Sequence, residues 1–587
     1  MVLAQLPVQS HDAVFSDANH PLALGLLAAW ARRALPGRVE LSILGEVAST
    51  GGDAAILEAL VDAGADLVGF GCFVWNLERS LALARALKRQ RPKTQIVLGG
   101  PEVARDNDFL RACGGFDAAV LGEGEETFAE LLAAVSARAP LDGVPGLLLP
   151  GPWRLTAPRQ PIEPLDAIPS PFLDGVLRAG RRRTMALESV RGCPMRCAYC
   201  HYHKSFPRMR AFPLPRIEAE LDWAKRAGIR ELTFVDPCFA RRARLEDFLE
   251  LLGRGPGPDV RCELNAEDIT RPLAKKLVRA RVREAEIGLQ TTNPVALRLA
   301  QRGFRRERFV EGVRHLRAEG IRVMLDVMVG LPGDRLEDVQ RSVQFAVEND
   351  LFDDLKVYPL CVLPGTVFRA QARRLGLHYQ PEPPYHVLQT ATMSPEDIHQ
   401  ALASAEEIAG VDLFPIEIPR KSRRLVMQPG APVRPLAPTD LKQALRIDLE
   451  DPAWRRRLPE LRAALRPALA ANPFTLLSFF LPPEPFPSPA DIRALERLFP
   501  RAEHTLDRDW FATTGPSRSV QVFVSTPAAT VRMPSSRIAS PVLERQRVCW
   551  IAFRRPVSPR AEERFLDDLE KHFEAEPDVW FRVGSTG

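Results

Sequence analysis

Apolar positions over the first 138 residues alternate between short continuous runs and runs with helical spacing. Val2 to Leu6, Val39 to Leu44, Asp66 to Val74, Gln95 to Leu98 and Asp117 to Leu121 read as strands. Between them lie helix patterns: Ala23 to Arg33, a face of Ile56, Leu57, Leu60 and Val61, a face of Leu77, Leu81 and Ala84, and a run from Glu126. The stretch from Asp66 to Val74 is almost wholly apolar, as in a parallel strand covered on both faces. Five strands alternating with helices predict an open, doubly wound α/β sheet of Rossmann-like type. The Pro-rich stretch over 150–171 predicts a linker. A second alternating series then runs from Thr184 to about Ile408, with strands at Met185 to Ser189, Leu232 to Asp236, Val260 to Leu264, Glu286 to Leu289, Val323 to Val329 and Leu355 to Leu360. This order predicts a partial (β/α)6 barrel whose site lies at the C-terminal strand ends. After a Pro-rich, basic segment over 414–439, the order strand, helix, strand, strand, helix, strand predicts a small C-terminal α+β domain of ferredoxin-like topology. The expected division is 1–148, a linker over 149–183, 184–412, and 413–587.

A length of 587 residues suits three or four such domains. Lys plus Arg number 79 against 74 for Asp plus Glu, with the signs interleaved, so no nucleic-acid partner is expected. The chain enters its first strand pattern without a charged leader, and no window of about 18 apolar residues occurs. A cytoplasmic monomer without a membrane partner is expected. Of nine Cys, Cys193, Cys197 and Cys200 fall together and the other six are scattered, which disfavours a disulfide framework and points to a metal site.

Three thiolates spaced by three and two residues, on the loop after the first barrel strand, suit three irons of a [4Fe–4S] cluster and leave the fourth iron open. The alternative is a zinc site completed by His201 or His203. Cys238, Cys262 and Cys361 near other strand ends read as small buried hydrophobes. The Cys193-Pro-Met-Arg-Cys197-Ala-Tyr199-Cys200 motif resembles the signature of the radical S-adenosylmethionine (SAM) enzymes, and barrel-rim motifs follow it in the family's order over about 184–370. The resemblance implies SAM contacts from Tyr199, Asp236, Glu263, Asn265, Gln290, Thr291 and Gly330. Asp236-Pro237-Cys238 departs from the family's usual Gly-Gly-Glu-like turn. A one-electron reductant protein is implied as partner.

Gly99-Gly100-Pro101-Glu102 and Gly122-Glu123-Gly124 follow the fourth and fifth strands, so backbone without Cβ stands where an open sheet binds ligands. With Trp75 and Asn76 after the third strand, this is similar to the cobalamin-binding domain of cobalamin-dependent radical SAM enzymes. An empty Rossmann-like domain is the alternative. No Asp-x-His-x-x-Gly element is present, so the lower cobalt face is expected to lack a His ligand. Trp75 either covers that face or packs as a core aromatic. The resemblance implies a C-methyltransferase acting on a small-molecule or peptide substrate. Other readings are rearrangement, cyclisation or oxidation without methyl transfer, and a cobalamin- or redox-sensing interaction protein. Tyr358, at the end of the sixth strand, is the one candidate catalytic side chain, with packing as its alternative.

Overall fold

The computed structural model describes residues 1–12, 20–151, 153–180, 183–202, 206, 208–411, 413, 418–502, 504–508, 519–525, 529–533, 547–553, 558–572 and 579–583. His203, which entered the zinc alternative, lies outside the described residues. Two compact units result. One comprises Met1–Leu6, Ser16–Leu44 and Ala65–Val411; the other comprises Pro7–Phe15, Gly45–Gly64 and Asp412–Gly587. Among the described residues no helix is long and apolar enough to cross a membrane.

The first unit holds two sheets. Strands β1 (Val2–Gln5), β2 (Ser42–Ile43), β3 (Leu67–Gly71), β4 (Gln95–Gly99), β5 (Ala118–Val120), β6 (Leu147–Leu149) and β7 (Arg154–Leu155) lie in the order β2-β1-β3-β4-β5-β6-β7. The first five are parallel, and every residue of β3 is buried, as its apolar run requires. Because the chain leaves β1 towards β2 on one side and β3 on the other, a crevice opens at the C-terminal ends of β1 and β3. The antiparallel hairpin β6–β7 uses Arg154 and Leu155, which the Pro-rich pattern assigned to a linker. Pairing to Leu148 and Leu149 makes this segment part of the sheet.

The second sheet, β15-β14-β13-β12-β11-β8, is six-stranded and wholly parallel: β8 (Thr184–Leu187), β11 (Glu231–Phe234), β12 (Asp259–Glu263), β13 (Val282–Gln290), β14 (Arg322–Val329) and β15 (Asp354–Pro359). Period-two alternation sets its faces. Ala285, Ile287 and Leu289 of β13 are fully buried against helices, so Glu284, Glu286 and Gly288 face the interior. Two short antiparallel strands, β9 (Val190–Arg191) and β10 (Arg210–Ala211), bracket the Cys loop. Gly192 permits this pairing, since at φ +97° a Cβ there would lie 2.3 Å from the Arg208 carbonyl oxygen. A further pair, β16 (His378–Tyr379) and β17 (Val387–Gln389), follows the barrel.

The second unit corrects the expected ferredoxin-like topology. Its sheet is β18 (Arg423–Met427), β19 (Ala444–Leu449), β20 (Leu476–Leu481), β21 (Val520–Ser525), β22 (Ala529–Arg532), β23 (Arg547–Phe553) and β24 (Val579–Val583), in chain order. The first four are parallel, β22 and β23 antiparallel to their predecessors, and β24 parallel to β23. A helix over Trp454–Ala470, a stretch for which no element was expected, contains Pro459 and Pro467. Burial of Leu461, Leu465 and Leu469 against Ile447, Phe479 and Val522 holds it in place.

Candidate functional site

The Cys loop sits at the C-terminal end of β8. Its root is fixed by Asp236, wholly buried at the end of β11, which accepts from Ser189 N (2.7 Å), Val190 N (3.0 Å) and Ser189 Oγ. Burial lifts the Asp236 carboxyl to about 7 despite these bonds. The oxygens are thus committed to the turn, and Asp236 does not offer the cavity a free carboxylate. Donors stand near each Cys sulfur, and Cys193 takes a backbone N–H from Met195 besides its side-chain neighbour. Cys238 Sγ lies 3.6 Å from Cys193 Sγ, Arg302 Nη1 lies 3.7 Å from Cys197 Sγ, and Tyr202 N lies 3.4 Å from Cys200 Sγ. The Cys238 contact leads in drawing the Cys193 thiol down to about 7, whereas burial pushes Cys200 up to about 11. Among the described residues no three Cys, His, Asp or Glu side chains converge on one point as a single metal ion needs.

The barrel face beside the loop is polar. Glu263 ends β12 on the strand's inward, less covered face, and desolvation there followed by Glu286 lifts its carboxyl to about 7. Asp326 of β14 is 5% exposed, and burial followed by Glu286 raises it to about 8, with Lys356 opposing. Asp326 Oδ1 and Gln290 Oε1 are buried acceptors with no protein partner. Arg302 donates to Tyr199 Oη at 3.3 Å and to Gly288 O. Neither Arg302 nor Asp326 was expected from the sequence. The orphaned oxygen of Asp326 is a signal that only the fold displays, but the acid in an otherwise apolar β14 was visible. Asn265 follows Glu263 at the start of a short turn. Thr291 is turned away, its hydroxyl donating to Asp334 Oδ1 at 3.0 Å. Gly330, at φ +84°, packs so that a Cβ would lie 2.5 Å from Val387. Tyr358, 37% exposed, shares the inward face of β15 with Lys356.

A cavity of about 390 Å³ opens at the β1/β3 crevice, walled by Trp75, Gly99, Gly100, Gly122, Glu123 and Gly124 of the first sheet and, opposite, by Glu188, Arg191, Tyr202 and Val235. Trp75 stacks on Phe73 at 4.6 Å, and its Nε1 is buried without a partner. Built on Gly99 or Gly122, a Cβ meets nothing within 4 Å. Gly100 differs: at φ +105° its Cβ would lie 2.6 Å from Cys72 O, so this glycine serves the turn. Two expected contacts are otherwise engaged. Asn76 spends its amide on Leu6 O, Gly71 O and Phe73 N, and Glu102 accepts from Tyr385 Oη (2.7 Å) and Asn107 Nδ2. Pro101 is not among the lining residues. Glu123 lines the wall but is also bound to Arg210, within a buried network in which Arg191 meets Glu125 at 2.5 Å and Glu188 at 3.0 Å. Burial alone would raise Glu125, yet Arg191 holds it below the usual carboxylate range.

The Radical SAM superfamily model matches residues 187–346, and the B12 binding domain model matches 13–132. The chain joins a B12-binding domain to a radical SAM domain. These domains imply a [4Fe–4S] cluster, SAM and cobalamin. The residues present fit all three: three thiols on one loop, orphaned acceptors in the barrel, and a glycine-lined crevice beside an orphaned indole nitrogen. Proteins similar to this chain include the cobalamin-dependent radical SAM methyltransferase TokK of Streptomyces tokunonensis, 26% identical over 51% of this chain and 47% of that protein. Another is the 2-(S-pantetheinyl)-carbapenam-3-carboxylate methyltransferase of Streptantibioticus cattleyicolor, 27% identical over 53% of this chain and 49% of that protein. The chain thus spans about half the length of these two relatives. Among solved structures, the radical SAM methyltransferase TsrM of Kitasatospora setae shares the fold with a TM-score of 0.55 and 17% identity over 69% of this chain and 89% of that one. The cobalamin-dependent SAM radical enzyme OxsB does so at 0.51 and 16%, over 70% and 62%.

Proposed function

We propose that the protein is a cobalamin-dependent radical SAM C-methyltransferase of a small-molecule or peptide substrate. The observation that carries this reading is the shared wall. Tyr202 lines the glycine-rimmed cavity, and its backbone N–H points at Cys200 Sγ, so the cobalamin crevice and the cluster loop are one residue apart. When bound, the cluster with SAM supplies one-electron, hydrogen-abstracting chemistry and cobalamin supplies a transferable methyl group. The chain's own residues position these groups. Cys193, Cys197 and Cys200 would hold three irons, leaving one for SAM. Gln290 and Asp326 offer acceptors suited to ribose hydroxyls, and Glu263 faces the same space. Gly99 and Gly122 let backbone approach a large ring, with Trp75 at its edge. Apolar lining residues such as Leu24, Phe70 and Phe128 exclude water from the crevice. A one-electron reductant protein from outside the chain completes the requirement.

Reconstituting the chain anaerobically with iron, sulfide and cobalamin tests the proposal. Formation of both 5′-deoxyadenosine and S-adenosylhomocysteine from SAM supports methyl transfer; 5′-deoxyadenosine alone would favour a radical reaction without it. Cys197→Ala is expected to abolish iron uptake and both products, and full iron loading in that variant would overturn the cluster assignment.

A further inference from the structure

Cys238 was read from the sequence as a small buried hydrophobe, and at 6% exposure it is buried. Its surroundings nonetheless single it out. It begins the short turn after β11, and its sulfur stands 3.6 Å from Cys193 Sγ. When Cys193 binds iron it does so as a thiolate and has no proton to give, so any hydrogen bond across this distance must run from the Cys238 S–H to the Cys193 sulfur. The other two cluster sulfurs receive different donors, the Arg302 guanidinium and the Tyr202 backbone N–H. The backbone donor could be removed only by proline, which also restrains the chain, and Arg302 also holds Tyr199 and the Gly288 carbonyl. Cys238 is therefore the donor that can be deleted with least disturbance.

Resting on the function proposed above, we infer that Cys238 is a positioning residue that sets the reduction potential of the cluster by donating its thiol proton to Cys193 Sγ. Reduction adds one electron to the cluster, from the 2+ to the 1+ state, with no proton transferred and no bond to iron made or broken. The electron comes from a one-electron donor, a low-potential protein in the cell or dithionite in the test. The added charge is shared with the thiolates, so a hydrogen bond to a thiolate strengthens on reduction and raises the potential. Removing the donor lowers it. The departure at Asp236-Pro237-Cys238 from the family's usual turn thus has two separable parts: Asp236 holds the root of the loop, and Cys238 acts on the metal.

The experiment compares the wild-type chain with Cys238→Ala and Cys238→Ser, each reconstituted anaerobically, by iron analysis and by electron paramagnetic resonance of the reduced cluster in mediator-poised titrations. All three are expected to bind four irons. At the wild-type midpoint, the reduced-to-oxidised ratio of Cys238→Ala should fall by about threefold to tenfold, tenfold being about 59 mV for a one-electron couple. Cys238→Ser, which keeps a donor, should return to the wild-type ratio or above it. Equal ratios in the wild-type and Ala chains overturn the inference, as does an equal shift in Ala and Ser. Loss of iron in Cys238→Ala would make the residue a ligand and overturn it too. A wild-type chain that takes up no iron would overturn the proposed function and this inference together, whereas unchanged potentials with four irons overturn only the latter.

Discussion

Gly99 and Gly100 are neighbours with different duties, and the difference is measurable. A side chain at Gly99 enters open space, whereas at Gly100 it meets the Cys72 carbonyl at positive φ. Gly99→Val is expected to weaken cobalamin binding at least tenfold with little change in the melting temperature of the cofactor-free chain. Gly100→Val should instead destabilise that chain by about 1–3 kcal/mol. Cobalamin titration and thermal unfolding of the same preparations separate the two. Asp326 carries a pH signature. Its carboxyl is raised from 3.8 to about 8, first by burial and then by Glu286, with Glu263 adding and Lys356 opposing. The folded chain therefore holds this proton more tightly than the unfolded one. Its contribution to stability is complete below about pH 3.8 and is lost as pH rises through about 8. The cofactor-free wild type should lose melting temperature between about pH 4 and 8, and Asp326→Asn should flatten that slope. Parallel slopes in the two chains would show that the raised proton affinity lies elsewhere.

At the scale of elements, the strands and helices of the first unit follow from the spacing of apolar residues because each is buried by its own period. A parallel strand covered on both faces needs a continuous apolar run, and β3 has one, while β14 is buried from Val323 to Val329 with Asp326 as its interruption. The join between the first sheet and the barrel rests on something else, the buried ions Glu123, Glu125, Glu188, Arg191 and Arg210. Arg191 pairs with residues 66 and 3 positions away, a convergence that no local pattern encodes. Removing one partner from such a network leaves its charges uncompensated. Arg191→Met is expected to cost about 3–5 kcal/mol, read as a shift in the denaturant midpoint. A change below about 1 kcal/mol would mean that water enters and screens the acids. The Pro-rich stretch over 150–171 was misread for a related reason. Pro removes a donor, but tertiary pairing at β7 outweighs that local loss.

For the whole molecule, the unexpected feature is that the second unit draws on residues 7–15 and 45–64. The helix Asp53–Asp62 receives its N-terminal partner from Asn472, whose Oδ1 accepts from Ala54 N at 2.9 Å, while Asp53 accepts from Phe474 N at 3.0 Å. Asn472 is fully buried and also donates to Pro438 O and Ala468 O. Asn472→Ala is expected to lower stability by about 2–3 kcal/mol, since it removes a cap and orphans buried carbonyls. An unaltered unfolding midpoint would mean that the segment over 45–64 is held by other contacts. By itself the amino-acid sequence determined the two α/β patterns, the three-thiolate loop and the glycines at the sheet rim, because each is a local rule of burial period, ligand spacing or backbone freedom. Only the tertiary structure decided which of those residues face a cavity. It turned Asp236, Asn76, Glu102 and Thr291 into internal hydrogen-bond partners, brought Cys238 and Arg302 to the sulfurs of the Cys loop, and left Asp326 and Trp75 with unmet polar atoms. Such pairings depend on which strand ends meet across the fold, a long-range property that residue type and spacing do not carry.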